Sequence, residues 1–194
     1  SMTPNLFCQP LQNVSNYKQL GILLDSNLGW SEHIKGIVKK VTGKLYILKQ
    51  LIKCMPKNLA INIYLSCIQP HLEYAATVWG PFIPKDNNPI QKLQNRAARI
   101  ITHNSDFVNI RGIEIVGNLG WETFDERLRY LTSSLMYKAQ NNLAPSNISN
   151  MINTYENQYE TRYSTTNKLH VPIAGTNMFS KSLQVYGPKV WNSL

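Results

Sequence analysis

Lys92, Arg96, Arg99 and His103 recur at a spacing that, at about 100° per residue, gathers them within roughly 60° of one helix face, opposite Ile90, Leu93 and Ala97. A second set, Lys35, Lys39, Lys49 and Lys53, falls in an arc of roughly 80° on an earlier helix and encloses Tyr46. Cationic side chains so arranged neutralise phosphates, and an interleaved ring can pack on a sugar or a base. The chemistry this predicts is recognition of an anionic polymer. An amphipathic helix must present something polar to water, so an ordinary solvated face is the competing reading of each stripe. Against it stands the scarcity of compensating acid: Glu32 alone on the first stretch, and none from Gln91 to His103, where a solvating face usually alternates in sign. Tyr46 by itself is equally a tyrosine at the edge of a core.

The residues that make or break bonds form no comparable pattern. His33, His71, His103 and His170 are scattered without a metal-ligand spacing. Asp125 and Glu126 are adjacent, so on a helix they diverge by about 100°, and Asp125 suits the start of a helix, where acids favour the dipole. There is no glycine-rich phosphate loop, no GxSxG elbow and no aspartate pair suited to two-metal phosphoryl transfer. No catalytic residue, metal ligand or cofactor is therefore expected in this segment. Cys8, Cys54 and Cys67, odd in number and far apart, read as reduced thiols of an intracellular protein.

A chain of 194 residues with 43% hydrophobic content can bury a core without staples. Its net charge of +9 favours an anionic partner. The distribution is more telling than the total, because residues 31–57 hold seven lysines against one glutamate and so supply +6 of it.

The elements that must position the stripes follow from periodicity. Tyr17 to Leu24 reads as a short strand running into a turn at Asp25-Ser-Asn27. Ser31 offers an N-cap, and Ile34, Ile37, Val38, Val41, Leu45, Leu48 and Leu51 mark one buried helix face. Pro56 can open a second helix that is buried on most sides, with Glu73 as the one formal charge from Leu59 to Trp79 and Pro70 kinking or breaking it. Asn62, Ser66, Gln69 and His71 interrupt it too often for a membrane span. After a loop over residues 80–89, Ile90, Leu93, Ala97, Ile100 and Ile101 mark a third helix. Residues 104–120 read as a glycine-punctuated connector, residues 122–142 as a fourth helix, and the remainder as irregular or short-stranded. The expected fold is mainly α: a three-helix bundle preceded by a short strand, then a further helix and an irregular tail.

Tyr17-Lys-Gln-Leu-Gly-Ile-Leu-Leu-Asp25, followed by Asn27-Leu-Gly-Trp30-Ser-Glu-His33-Ile34, resembles the end of the reverse transcriptase domain of LINE-type, non-long-terminal-repeat retrotransposons. The resemblance continues in order through Tyr64, Pro70 to Tyr74, Val78-Trp79-Gly80 and Ile90-Gln-Lys-Leu-Gln-Asn-Arg96-Ala-Ala-Arg99-Ile100. Further blocks are Leu119-Gly-Trp121 with Arg127, Tyr159-Glu-Thr-Arg162, Phe179, and Tyr186-Gly-Pro-Lys-Val-Trp191. It implies that residues 1–30 hold the strand and turn at the end of a palm, residues 31–103 a thumb-like bundle, residues 104–145 a connector and fourth helix, and residues 146–194 a C-terminal region. It also implies that Tyr17, Leu20 and Gly21 are primer-grip-like. The catalytic aspartates of that family belong to an upstream palm, and neither they, an endonuclease domain nor the cysteine and histidine knuckle of many members is present here.

The expected function is gripping RNA, an RNA/DNA hybrid or DNA during target-primed reverse transcription, in the cell and in the nucleus when at work, with no membrane attachment. The alternative is a protein-interaction or scaffold module, a retrotransposon remnant in host use, with Trp79, Trp121 or Trp191 anchoring a partner.

Overall fold

In the computed structural model, residues 14–104, 109–152 and 168–194 are described, together with the backbone pairing of β1 (Asn5–Leu6) and β2 (Gln9–Pro10). The stretch expected as one strand is an antiparallel hairpin, β3 (Asn16–Gln19) and β4 (Ile22–Asp25), with Tyr17 opposite Leu24. It folds back because Leu20 and Gly21 both adopt positive φ, 48° and 85°, which is the backbone of a two-residue hairpin turn matched to strand twist. Asp25 then organises the chain leaving the sheet. Its carboxylate accepts from the backbone N–H groups of Asn27 at 2.9 Å, Gly29 at 2.9 Å and Trp30 at 3.1 Å. Ser31, expected as the N-cap, is instead the first residue of α1 (Ser31–Leu51); the cap position belongs to Trp30, at φ 61°, and no side chain caps the helix.

The second helical stretch is segmented. It runs through α2 (Lys57–Ile63), a π turn (Tyr64–Ile68), α3 (Gln69–Glu73), α4 (Ala76–Trp79) and a 3-10 turn (Gly80–Phe82). Pro70 lies in the first turn of α3, where a missing N–H costs little, and the sharper break falls at Ala75, whose φ is 51°. In α5 (Pro89–Thr102) the Asn88 side chain accepts from the N–H of Ile90 at 2.9 Å and of Gln91 at 3.2 Å. These three stretches share one core, in which Val41, Leu45 and Leu48 of α1 meet Tyr64, Ile68 and Leu72 and the Ile90, Leu93, Ala97 face of α5. Trp79 is completely buried within it, donating from Nε1 to the Tyr74 carbonyl at 3.0 Å and packing on Phe124 and His33.

Beyond α5 the structure is more ordered than the sequence predicts. The connector contains α6 (Gly112–Asn118), whose Ile115 and Val116 are buried with Ala98 of α5. Gly112 permits this approach, since a Cβ there would lie 2.6 Å from Cβ of Asn95. The fourth helix, α7 (Phe124–Gln140), is shorter at each end than the expected residues 122–142, because Thr123 and Glu126 close a capping box. Within the tail the described residues combine irregular backbone with three helices the sequence did not predict, α8 (Ser146–Ser149), α9 (Asn177–Ser180) and α10 (Leu183–Trp191). α10 packs on α7 with Gly187 against Met136, and the Asn192 side chain bonds both the N–H and the carbonyl of Leu169 at 2.8 Å. Among the described residues no helix is long and apolar enough to cross a membrane. The Tyr159 to Arg162 block lies outside the described residues.

Candidate nucleic-acid interface

The buried stripe of α1 fixes where its lysines point. Lys35, Lys39 and Lys49 are exposed along one flank of α1, with Tyr46, 61% exposed, among them, whereas Lys53, expected on the same helix face, is exposed but lies in the turn beyond the helix end at Leu51. Tyr46 is thus a surface ring and not a core-edge one. Lys35 is held by Glu32 at 2.7 Å, an open pair that contributes little to stability. Lys39, Lys49 and Lys53 have no hydrogen-bond or ion-pair partner among the described residues.

The α5 stripe is placed differently. It lies on the side of α5 opposite the shared core, so it points away from α1 and the two stripes form separate tracks. Its members are also more engaged. The Lys92 ammonium donates to the Asn87 side chain, and the half-buried Arg99 guanidinium donates to the Ile110 carbonyl at 2.5 Å, tying α5 to the approach to α6. His103 ends the helix at φ 53°. Arg96 is exposed, without a partner among the described residues.

Tyr17, Leu20 and Gly21, expected to be primer-grip-like, sit in the hairpin. Tyr17 and Leu20 are 58% and 82% exposed. The Tyr74 hydroxyl donates to the Leu20 carbonyl at 2.6 Å, and the Leu23 N–H donates to Nδ1 of His33 at 3.3 Å, so α3 and α1 both hold the hairpin. Burial lowers the pKa of His33, which favours the neutral ring that this acceptor role requires.

Two groups of polar residues escaped the sequence reading. On the other flank of α1, Lys40 and Lys44 approach His71, with Lys44 Nζ 2.7 Å from both the Cys67 carbonyl and Nε2 of His71. Burial first, then Lys44 and Lys40, lower the His71 pKa, so its ring is neutral and accepts at Nε2. The i, i+4 spacing of Lys40 and Lys44 places them on one face of α1, but their approach to His71 is set by tertiary packing. The second group joins α5 to α7. The Phe124 N–H donates to Gln91 Oε1 at 2.8 Å, Gln94 Nε2 donates to the Glu122 carbonyl at 2.8 Å, and Arg127 Nε donates to Glu73 at 2.9 Å. Tyr64 stacks on Trp121 beside them, at 4.1 Å between ring centroids, and burial followed by the Glu73 carboxylate raises its phenol pKa. This second group is scaffold.

The tryptophans offered as anchors are largely spent on packing: Trp79 is buried, and Trp121 lies on Tyr64. Among the described residues no group of three or more histidine, cysteine or acidic side chains could hold a metal ion.

Comparison with known proteins agrees with the resemblance. The chain is 31% identical over 126 residues to a probable RNA-directed DNA polymerase from transposon BS of Drosophila melanogaster, covering 63% of the chain and 14% of that protein. It is 30% identical over 97 residues to the probable RNA-directed DNA polymerase from transposon X-element, covering 48% of the chain and 11% of that protein. It is 34% identical over 103 residues to the RNA-directed DNA polymerase from mobile element jockey, covering 50% and 11%. The matches thus span at most about a seventh of the length of these curated relatives. No family model matches the chain, and no solved structure does either.

Proposed function

We propose, from its kinship over about half its length with retrotransposon RNA-directed DNA polymerases, that this chain is a non-catalytic, thumb-like segment of such an enzyme. Its role is to grip RNA or an RNA/DNA template-primer duplex during target-primed reverse transcription. The observation that carries this reading is the outer flank of α1, where Lys39 and Lys49 project without a partner among the described residues and Tyr46 lies exposed among them, with Lys53 exposed in the turn that follows. Ammonium groups held on a rigid helix neutralise successive phosphates without reading sequence, and the exposed ring adds a stacking surface. The α5 stripe and the Tyr17, Leu20, Gly21 hairpin tip contribute further contacts. On this reading the chain acts in the nucleus, with no membrane attachment and no cofactor of its own.

The test is an electrophoretic comparison of RNA, hybrid duplex and duplex DNA across a salt series. Binding that weakens steeply with salt is expected, because displaced counterions drive phosphate binding. Weak binding to all three ligands with a flat salt response removes the grip.

A further inference from the structure

The network that joins α5 to α7 also encloses a cleft of about 340 Å³, whose charge runs against that of a chain carrying +9 overall. Glu73, Glu122 and Arg127 line it and no lysine does, so two carboxylates face one guanidinium. Their contacts bring them together. Glu73 Oε1 accepts from Arg127 Nε at 2.9 Å and from the Gln69 amide, and Arg127 Nη1 reaches Glu122 at 3.5 Å, the outer limit of a hydrogen bond. Glu73 Oε2 has no donor among the described residues.

Tyr64 supplies a second unmet valence. It opens the π turn, a helix irregularity that recurs at functional sites, and it is 1% exposed, with a hydroxyl that has no hydrogen-bond partner among the described residues. The hydroxyl is directed at the same group: it lies beside Gln94 and in the field of Glu73, both on the cleft wall. Gln94 does not satisfy it, because its amide is taken at both ends, Nε2 by the Glu122 carbonyl at 2.8 Å and Oε1 by Gln91 at 2.9 Å. Burial and then Glu73 raise the phenol pKa, so Tyr64 adds a neutral oxygen and no further charge. A buried hydroxyl left unpaired is costly, and a ligand that meets it removes the cost.

We propose that this cleft receives the guanidinium of an arginine side chain from a protein partner, with Glu73 Oε2 and the Glu122 carboxylate as charged acceptors and the Tyr64 oxygen as a neutral one. The inference goes beyond the nucleic-acid grip and does not rest on it, since these carboxylates repel a phosphodiester. One incoming cation brings the cluster to neutrality. A planar fork of N–H donors matches two separate carboxylates and stacks on an aromatic ring such as Trp121, which lines the wall, whereas a lysine ammonium is a point charge. A divalent ion fits less well, because no group of three or more ligating side chains exists among the described residues. Glu122 is 54% exposed, so the stem of the ligand can leave the cleft toward a partner surface.

The experiment titrates the whole chain with the blocked peptide acetyl-Gly-Arg-Gly-amide, with its citrulline counterpart as the uncharged isostere, and with agmatine as a free guanidinium. Binding is followed by NMR at the Trp121 indole N–H. Saturable binding of the arginine peptide is expected, with the citrulline peptide bound roughly tenfold more weakly or worse. Tyr64→Phe, which removes only an unpaired oxygen, should weaken the arginine peptide roughly threefold or more while urea stability stays the same or rises. A purely structural tyrosine would not give that split. Glu122→Gln, at the exposed mouth, should cause a similar loss with the Glu73 to Arg127 pair intact, and it serves if the Tyr64 variant misfolds. Wild-type affinity in both variants, equal binding of the citrulline peptide, or no binding by the folded wild type each overturns the site. Binding of agmatine without binding of the peptide overturns the protein partner.

Discussion

α1 and α5 each carry a basic stripe on one face, yet the molecule engages them differently. On α5, Lys92 is tied to Asn87 and Arg99 to the Ile110 carbonyl, while Arg96 and His103, which takes the C-cap position, are exposed. On α1, Lys35 is paired with Glu32, and Lys39 and Lys49 are exposed without a partner among the described residues, as is Lys53 in the turn that follows. A helical projection tells which way a side chain points but says nothing of whether a neighbouring segment has already claimed its hydrogens. The α5 stripe is in part an internal fastener, whereas the α1 stripe is a surface track.

The largest expected effect tests the track. Lys39→Glu, Lys49→Glu and Lys53→Glu together should weaken hybrid-duplex binding by roughly two orders of magnitude and lower the salt slope by about 3, with an unchanged circular dichroism spectrum. Equal losses from Lys92→Glu with Arg96→Glu would erase the distinction between the two helices. Next comes the fastener. Arg99→Gln should cost about 1.5–3 kcal/mol in urea unfolding, the range for losing a charged hydrogen bond, with a smaller change in duplex affinity than the α1 triple variant. A drop in affinity without a drop in stability would return Arg99 to the interface. Gly112→Ala addresses the same seam from α6. Its new Cβ would press on Asn95, costing about 1–3 kcal/mol by overpacking while leaving the α1 track untouched.

The smallest effect is a pH dependence of the inner flank. His33 and His71 both have folded-state pKa values lowered from the ordinary 6.5. Below 6.5 the unfolded chain therefore binds protons that the folded chain refuses, so stability should fall as pH drops from 6.5 toward the folded pKa values and level off above it. Thermal unfolding of the wild type and of His71→Gln across that window checks the sign. A weaker pH dependence in the variant assigns part of it to His71.

Much of the fold was legible because burial is periodic. The α1 and α5 faces follow from aliphatic residues at helical spacing, save Leu51, which is exposed at the last position of α1, and those faces determine where the basic stripes must lie. What was missed has local causes. Thr123 and Glu126 spell a capping box that sets the start of α7, a signal overlaid by the adjacent Asp125, which also suits a helix start. α6 carries glycines that depress helix propensity, and it is held by Ile115 and Val116 against Ala98, a contact that only tertiary structure reveals. α10 contains Gly187 and Pro188, a pair that reads as a breaker, yet Gly187 is what lets the backbone settle on Met136. The hold of Ile110 on Arg99 and of Lys44 on His71 joins residues far apart in sequence, so no spacing rule reaches them.

The π turn of the second helical stretch has a consequence for chain length. Ala60, Tyr64, Ile68 and Leu72 are all buried, and each lies four residues after the last. In an α-helix such a row drifts by about 40° per step, or about 120° over three steps, and would carry Leu72 off the core. The widened turn over Tyr64–Ile68 takes up most of that drift and keeps the row straight. The segment therefore carries one residue of slack, at a place where Leu65, Ser66 and Cys67 all face outward. Loss of one of these would let the helix close to ordinary pitch with Leu72 still in phase with Ala60, making this a point where related chains can differ in length without exchanging their cores.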